Sequence, residues 1–366
     1  LDHGFQVLLT AYPAAQKYLD FEALELQEFL PGATIFSNGR AKTLGDPLRN
    51  ISLLLPTLFS GIGTFSDKLK ILKLNMLLSK TSLPEIFEKN EKTSLQYLKD
   101  FGFSEEMIAQ FFTPFFAGIF LEPKLDTSSR MFEFVYKMFG EGFAALPKAG
   151  IEAIPKHLKD KLKRTTFQFN TKVKSVEDDK ILLENGIELE SQFTIIATEP
   201  SALVSQLKTQ KTKWKSCNTL YFETGSRTIE KPLIGLIANK DALINNIFYH
   251  TSLESDSVGK KELLSVTVVK EHGLSEEALK LQVQKELQEV CGIDSPRFIK
   301  QYFIPKALPD LKGLQYEMHP SETRLSESVF LAGDTQLNAS LNAAMISGER
   351  AALNIVQTLG PSLKVD

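Results

Sequence analysis

The stretch from Val329 to Val356, VFLAGDTQLNASLNAAMISGERAALNIV, constrains the fold more than any other part of the chain. Val329-Phe330-Leu331 reads as a buried strand that ends in Ala332-Gly333-Asp334. A short loop reaches Ala339-Ser340, and a long apolar helix follows to Leu359, stopped by Gly360-Pro361. The small residues Ala339, Ser340, Ala343, Ala344, Ser347 and Gly348 fall in its first turns. Small side chains let a flat or phosphorylated ligand come close to the helix backbone. The helix start adds unpaired N–H groups and a partial positive charge. Asp334, just past a buried strand, is placed to accept hydrogen bonds from a sugar or ribityl hydroxyl. The residues alone leave an ordinary strand–helix unit with a capping Asp equally open.

The 366 residues are enough for roughly two domains. With 43% hydrophobic and 24% charged residues, disorder, collagen and a disulfide scaffold are excluded. A net charge of −3 argues against nucleic acid as a partner, since backbone binders rely on clustered cations. Two cysteines, Cys217 and Cys291, fit a reducing, cytoplasmic setting and have no metal-ligand spacing. No apolar run reaches the length of about 18 residues needed to span a bilayer, and no signal peptide is visible at Leu1.

Leu1–Thr10 reads as a strand, with Phe5, Val7 and Leu9 on one side. Ala14–Leu19 is a short helix, and Phe29–Phe36 a turn followed by a strand. From about Asp46 the period is helical. Ser66, Ser94, Ser104 and Ser128 or Ser129 are the helix starts, and Gly102 is a stop. From Thr165 the period turns to strand: Thr165–Val176, Ile181–Leu183, Phe193–Ala197, Thr219–Phe222, Leu233–Ile237, Leu263–Val269 and Phe298–Phe303. A helix over Glu276–Val290 separates the last two.

Chemical motifs are few. The histidines His3, His157, His250, His272 and His319 never stand four apart, so no metal site is expected. No nucleophile elbow exists. Gly61-Ile-Gly63 lacks a third glycine. Gly140-Glu-Gly142-Phe-Ala-Ala145 fits a dinucleotide pattern but follows a helix, where the fingerprint needs a strand.

The C-terminal stretch resembles the flavin signature of the FAD-dependent amine oxidase and phytoene desaturase superfamily. There an apolar-Ala-Gly-Asp strand end precedes Gly-Ser-x-x-Gly-Ala and then Ser-Gly-x-x-Ala-Ala. Here the first block is Ala332-Gly333-Asp334. The next is Ala339-Ser340-Leu341-Asn342-Ala343-Ala344, with alanine for two family glycines, and Ser347-Gly348-Glu349-Arg350-Ala351-Ala352 completes it. Pro147–Ile151 with Ile154-Pro155, Asn170–Val176 and Thr194–Thr198 with Pro200 are similar to further family segments in the same order. Leu1–Phe5 is similar to the strand after the family's first flavin loop. Phe112–Leu121 resembles the desaturase-like branch. The family's opening strand, G-x-G-x-x-G and ribose-holding acid have no counterpart. The resemblance therefore implies that roughly 40–50 family residues precede Leu1. The chain is read as truncated, with part of an FAD site, and as inactive by itself.

The resemblance implies an α/β fold with an α+β substrate part. A Rossmann-like, discontinuous FAD domain would comprise 1–9, 140–205 and 322–360. A substrate domain would comprise 10–139 and 206–321, with a helical block over 46–139. The implied chemistry is hydride transfer from substrate to flavin. Val173 would hold adenine, Ala197 would lie in the strand-to-loop segment, and Gly333 and Asp334 would meet the pyrophosphate–ribityl region. Ala339, Ser340, Leu341, Asn342 and Ala343 would border the isoalloxazine edge. Tyr316–Ser328 contains no Cys, so FAD is expected to be non-covalent. The rivals are a flavin amine oxidase and a non-catalytic scaffold. Ser340 stands where an amine oxidase would present an aromatic residue.

The substrate expectation rests on phenylalanine. Eleven of the chain's 26 lie between Phe101 and Phe143. Aromatic walls bury large area without polar partners, so a large apolar substrate such as a polyene is expected. Helix packing is the plainer account of the same residues. Ile51–Phe65 with Lys68, Lys70 and Lys73 suggests peripheral contact with a membrane. No pattern fixes an oligomeric state.

Overall fold

Seven strands converge on one mixed sheet, in the order Arg297–Pro309, Trp214–Thr224, Glu262–Val268, Ile244–Tyr249, Ile234–Ile237, Gly32–Ser37, Arg40–Gly45. The structure is a computed structural model that describes residues 1–37, 39–46, 49–256, 259 and 261–360; Pro361 lies outside them. Two units separate: Leu1–Ala11, Leu19–Lys159 and Lys215–Leu308 form the larger, and Tyr12–Tyr18, Asp160–Trp214 and the chain from Pro309 onward form the smaller. Among the described residues no helix is long and apolar enough to cross a membrane.

In the larger unit, alternation along the strands gives the sheet two unlike faces. Register pairs Leu220 with Val266 and Val266 with Ile247; Phe222 pairs with Leu264, and Leu264 with Tyr249. These six form one apolar face, on which the helix Glu276–Glu289 lays Leu279, Val283 and Leu287. The residues between them face the other way. Thr219 pairs with Thr267 and Thr267 with Asn246, while Tyr221 pairs with Ser265 and Ser265 with Phe248. That face is buried but mostly polar.

The helical block starts its helices with caps. Thr64 caps Phe65–Lys80 in a reciprocal box with Asp67. Ser66 is therefore inside the helix, because only Thr64 has the acid three positions on. Asp67 accepts from the backbone N–H of Thr64 and Ser104 at 2.7 and 2.9 Å and from both hydroxyls at 2.8 and 2.7 Å. Burial acts to raise its carboxyl, but these donors prevail and hold it down at about 2. Ser104 and Ser128 cap their helices, and Gly102 ends one in the left-handed region.

Most of the phenylalanine run fills this block. Phe103, Phe112, Phe116, Phe120, Phe132 and Phe134 are buried; the rings of Phe116 and Phe132 lie 4.6 Å apart. Phe111, Phe115 and Phe139 are half-buried and touch in sequence at 5.5 and 5.3 Å. The helix Thr113–Phe120 meets the polar face of the sheet at Gly118. A Cβ there would stand 2.8 Å from Asn245 Nδ2 and 2.9 Å from Asn246 Oδ1.

The smaller unit holds an antiparallel sheet of Val173–Glu177, Lys180–Leu183 and Glu188–Glu190, and a parallel pair of Val329–Leu331 with Thr194–Ile196. The helix Leu341–Leu359 follows the second of these.

Several expectations need correction. Only Leu8–Leu9 of the first ten residues forms a strand, because Asp2 and Phe5 are engaged through Tyr221 Oη and the Phe248 ring instead. The strand expected from Thr165 begins at Val173, since Asn170 takes a left-handed φ of 54° that breaks extension. Leu8 and Leu9 pair with Ala145 and Ala144, and Ala145 pairs with Glu28. Residues 1–9 and 140–159 lie in the larger unit. The strands Arg40–Gly45 and Ile244–Tyr249 form without a strand pattern in the sequence.

Candidate functional site

All nine residues singled out for a cofactor fall in the smaller unit. The parallel pairing of Leu331 with Ile196 brings Ala197 and Ala332 to the same, carboxyl, end of two strands, and Ala332 N donates to Ile196 O at 2.9 Å. Ligands of open α/β sheets sit at such ends. Val173 and Leu331 pack against one apolar cluster built from Val176, Ile196, Val204, Leu207 and Val329.

The turn after the strand is held from the helix. Gly333 has φ 122° and ψ 166°, a region open essentially to glycine alone. Its N–H donates to Ser347 Oγ at 2.9 Å, and the Ser347 hydroxyl lies 2.9 Å from Gly333 O and 3.0 Å from Ala344 O, both acceptors for its one proton. Asp334 opens a short 3-10 turn, and its carbonyl accepts from Ala339 N at 3.0 Å. Burial raises the Asp334 carboxyl above the ordinary carboxylate range, against the backbone N–H groups of Thr335 and of Asp334 itself.

Ser340 is the N-cap of the helix. Its Oγ accepts from Ala343 N at 3.0 Å and donates to Asn338 Oδ1 at 2.7 Å. The hydroxyl is thereby committed to the cap. Asn342 and Ala343 turn inward and are fully buried; Asn342 Oδ1 accepts from Ala14 N at 3.0 Å. Ala339 has a left-handed φ of 63°, and Leu341 is exposed. What this loop offers a ligand is therefore backbone, not side chain. The first-turn amides of Leu341 and Asn342 have no intrahelical acceptor.

The chain matches the sequence model of the flavin-containing amine oxidoreductases over residues 1–356. It belongs to that family. This amine oxidoreductase family works with flavin, and the chain is an FAD-dependent oxidoreductase. No curated protein matches it significantly. Its structure is similar to a double mutant of putrescine oxidase with redesigned cofactor binding, at 15% identity and a TM-score of 0.69, covering 98% of this chain and 88% of that one. It is also similar to a putative protoporphyrinogen oxidase from Exiguobacterium sp. 255-15, at 15% and 0.65, covering 97% and 87%. A third likeness is to cyclohexylamine oxidase from Brevibacterium oxydans IH-35A, at 11% and 0.65, covering 98% and 88%. At such identities the likeness speaks for the fold.

The residues present fit the family's flavin. A Cβ built on Gly333 meets only Thr335 Oγ1, at 3.9 Å, and one on Gly348 meets nothing within 4 Å. The backbone at both is open to close approach. The start of the 19-residue helix adds its partial positive charge at the same loop.

Of the residues that fix this turn and cap, the sequence singles out Ser347 but not Asn338. Ser347 is visible as the serine of the Ser-Gly pair in the helix. Asn338 has no local signal, since its role as acceptor for the cap hydroxyl arises from the loop's fold. Elsewhere, burial pushes the Cys217 thiol up to about 11 and that of Cys291 up to about 12, so both stay protonated at neutral pH.

Proposed function

We propose that the protein dehydrogenates a large, uncharged, mostly apolar substrate of the polyene or ring-system class. When bound, FAD supplies the hydride acceptor. Gly333, Asp334 and the backbone of Ser340–Ala343 would hold its pyrophosphate–ribityl and ring regions, with Val173 and Ala197 nearer the adenine. With no Cys in 316–328, retention would be non-covalent.

The observation that carries the substrate class is the neutrality of the polar sheet face. Its buried polar residues are Thr219, Asn246, Ser265 and Thr267, beside Tyr221. His250 Nε2 lies 3.0 Å from Ser265 Oγ, and burial pushes the imidazole down to about 4, so it is uncharged at neutral pH. Phe5, Phe29 and Phe248 pack alongside, with the last two rings 4.4 Å apart. A cationic amine set against these groups would find no counter-charge among them.

Amine oxidation is the second reading, favoured by the names of two structural neighbours, putrescine oxidase and cyclohexylamine oxidase. Anaerobic bleaching of the FAD-loaded protein separates the two. Reduction by neutral polyenes or hydrophobic ring systems, and not by putrescine or cyclohexylamine, is the expected result. Reduction by the amines alone would replace this reading with the second.

A further inference from the structure

The helix Phe65–Lys80 buries Asp67, Leu74 and Leu78 on one side. The outer side of a surface helix is ordinarily polar. Here Phe65, Leu69, Leu72 and Met76 recur every three or four residues, which aligns them in one stripe. They are exposed at 73%, 52%, 38% and 60%. The stripe runs for about 16 Å along the axis, directly opposite the buried side.

Its charge is one-sided. The sequence from 51 to 80 contains a single acidic residue, Asp67, which is fully buried and held by Thr64 and Ser104. Lys70 is turned to the Gly102 carbonyl. Helical spacing sets Lys68 on one border of the stripe and Lys73 and Lys80 on the other, and the Lys73 ammonium rests 5.6 Å from the Phe101 ring centre. The preceding turns expose Ile51, Leu54 and Leu55. An apolar stripe bordered by lysines lies well at the boundary of acyl chains and negative headgroups, with the lysine stems along the stripe and the ammonium groups among phosphates.

We propose that this surface docks the protein on an anionic phospholipid bilayer, with the helix lying in the plane of the interface. A second copy of the chain is the poorer occupant, because two such stripes face to face would bring lysines against lysines. The proposal stands apart from the substrate reading, since it is read with vesicles and no turnover.

The test is co-sedimentation of the FAD-loaded full chain with vesicles of phosphatidylcholine, alone or mixed with phosphatidylserine. Binding to the mixed vesicles is expected, weaker on phosphatidylcholine alone and falling as salt rises past the point where the screening length is about 10 Å. Leu69→Ser/Met76→Ser should weaken it about tenfold or more, and Lys73→Glu/Lys80→Glu should abolish the preference for phosphatidylserine. Both variants alter exposed side chains, so unchanged thermal midpoints certify their folding. Binding that ignores both variants overturns the proposal. So does failure to bind vesicles with a concentration-dependent dimer that Leu69→Ser/Met76→Ser dissolves, which would make a second copy the occupant.

Discussion

The two faces of the large sheet are made by the same three strands, and both are buried, yet they are built from opposite materials. One is Leu220, Phe222, Ile247, Leu264 and Val266, sealed by the helix Glu276–Glu289. The other carries Thr219, Asn246, Ser265 and Thr267 at the positions between. Fold stability explains the first face completely. It does not explain the second, where Thr219 Oγ1 is fully enclosed without a hydrogen-bond partner among the described residues. Polar groups under cover cost free energy unless paired. A face that keeps them carries a cost that the apolar face does not.

Substitutions on the two faces should differ accordingly. The largest loss is expected for Leu220→Ala on the apolar face, about 2–5 kcal/mol from the urea midpoint, with residual activity per folded molecule little changed. Gly118→Ala pushes a methyl group against the Asn245 and Asn246 amides on the polar face. It should cost about 1–3 kcal/mol, because those amides also bond each other and the Pro114 carbonyl. A smaller loss would show that the helix Thr113–Phe120 can slide on this face.

His250 gives a pH signature. Burial lowers its folded-state pKa to about 4, from an ordinary 6.5. As pH falls, the unfolded chain takes up the proton first. The associated stability is complete above about 6.5 and is lost on descent to about 4, with a slope of up to about 1.4 kcal/mol per pH unit. His250→Gln should flatten that part of the stability–pH curve. An unchanged curve would mean that the imidazole is not enclosed. The smallest effect on stability belongs to Thr219→Val, within about 1 kcal/mol in either direction, because the hydroxyl removed has no partner to orphan. Its effect on turnover is the sharper measurement: a clear change in kcat or KM at constant stability would place substrate against the polar face, and no change would leave that face unexplained.

Much of this organisation was legible in the sequence. The C-terminal strand, Gly-Asp turn and long helix announced themselves because each has local chemistry: apolar run, glycine, cap, small-residue face. The caps at Ser104 and Ser128 were read for the same reason. Ile244–Tyr249 escaped because Asn245 and Asn246 interrupt its apolar pattern, and their place becomes intelligible only when Thr267 and the helix at Gly118 are seen beside them. Arg40–Gly45 escaped because an edge strand this polar looks like a loop. The commitment of Ser340 Oγ to Asn338 is likewise out of reach, because it depends on the left-handed φ of 63° at Ala339, the one residue between them, which an alanine does not announce.

The Ser347 hydroxyl has a consequence for motion. It sits in the second turn of the long helix and holds both the amide and the carbonyl environment of Gly333, fourteen residues earlier. The Gly-Asp turn thus has no freedom of its own: to open, it must detach from a buried helix turn. Its backbone amide should exchange with solvent deuterium on the schedule of the helix interior, not of a surface loop. A cofactor arriving there would meet a surface already set, and little of its binding energy would go into ordering the chain.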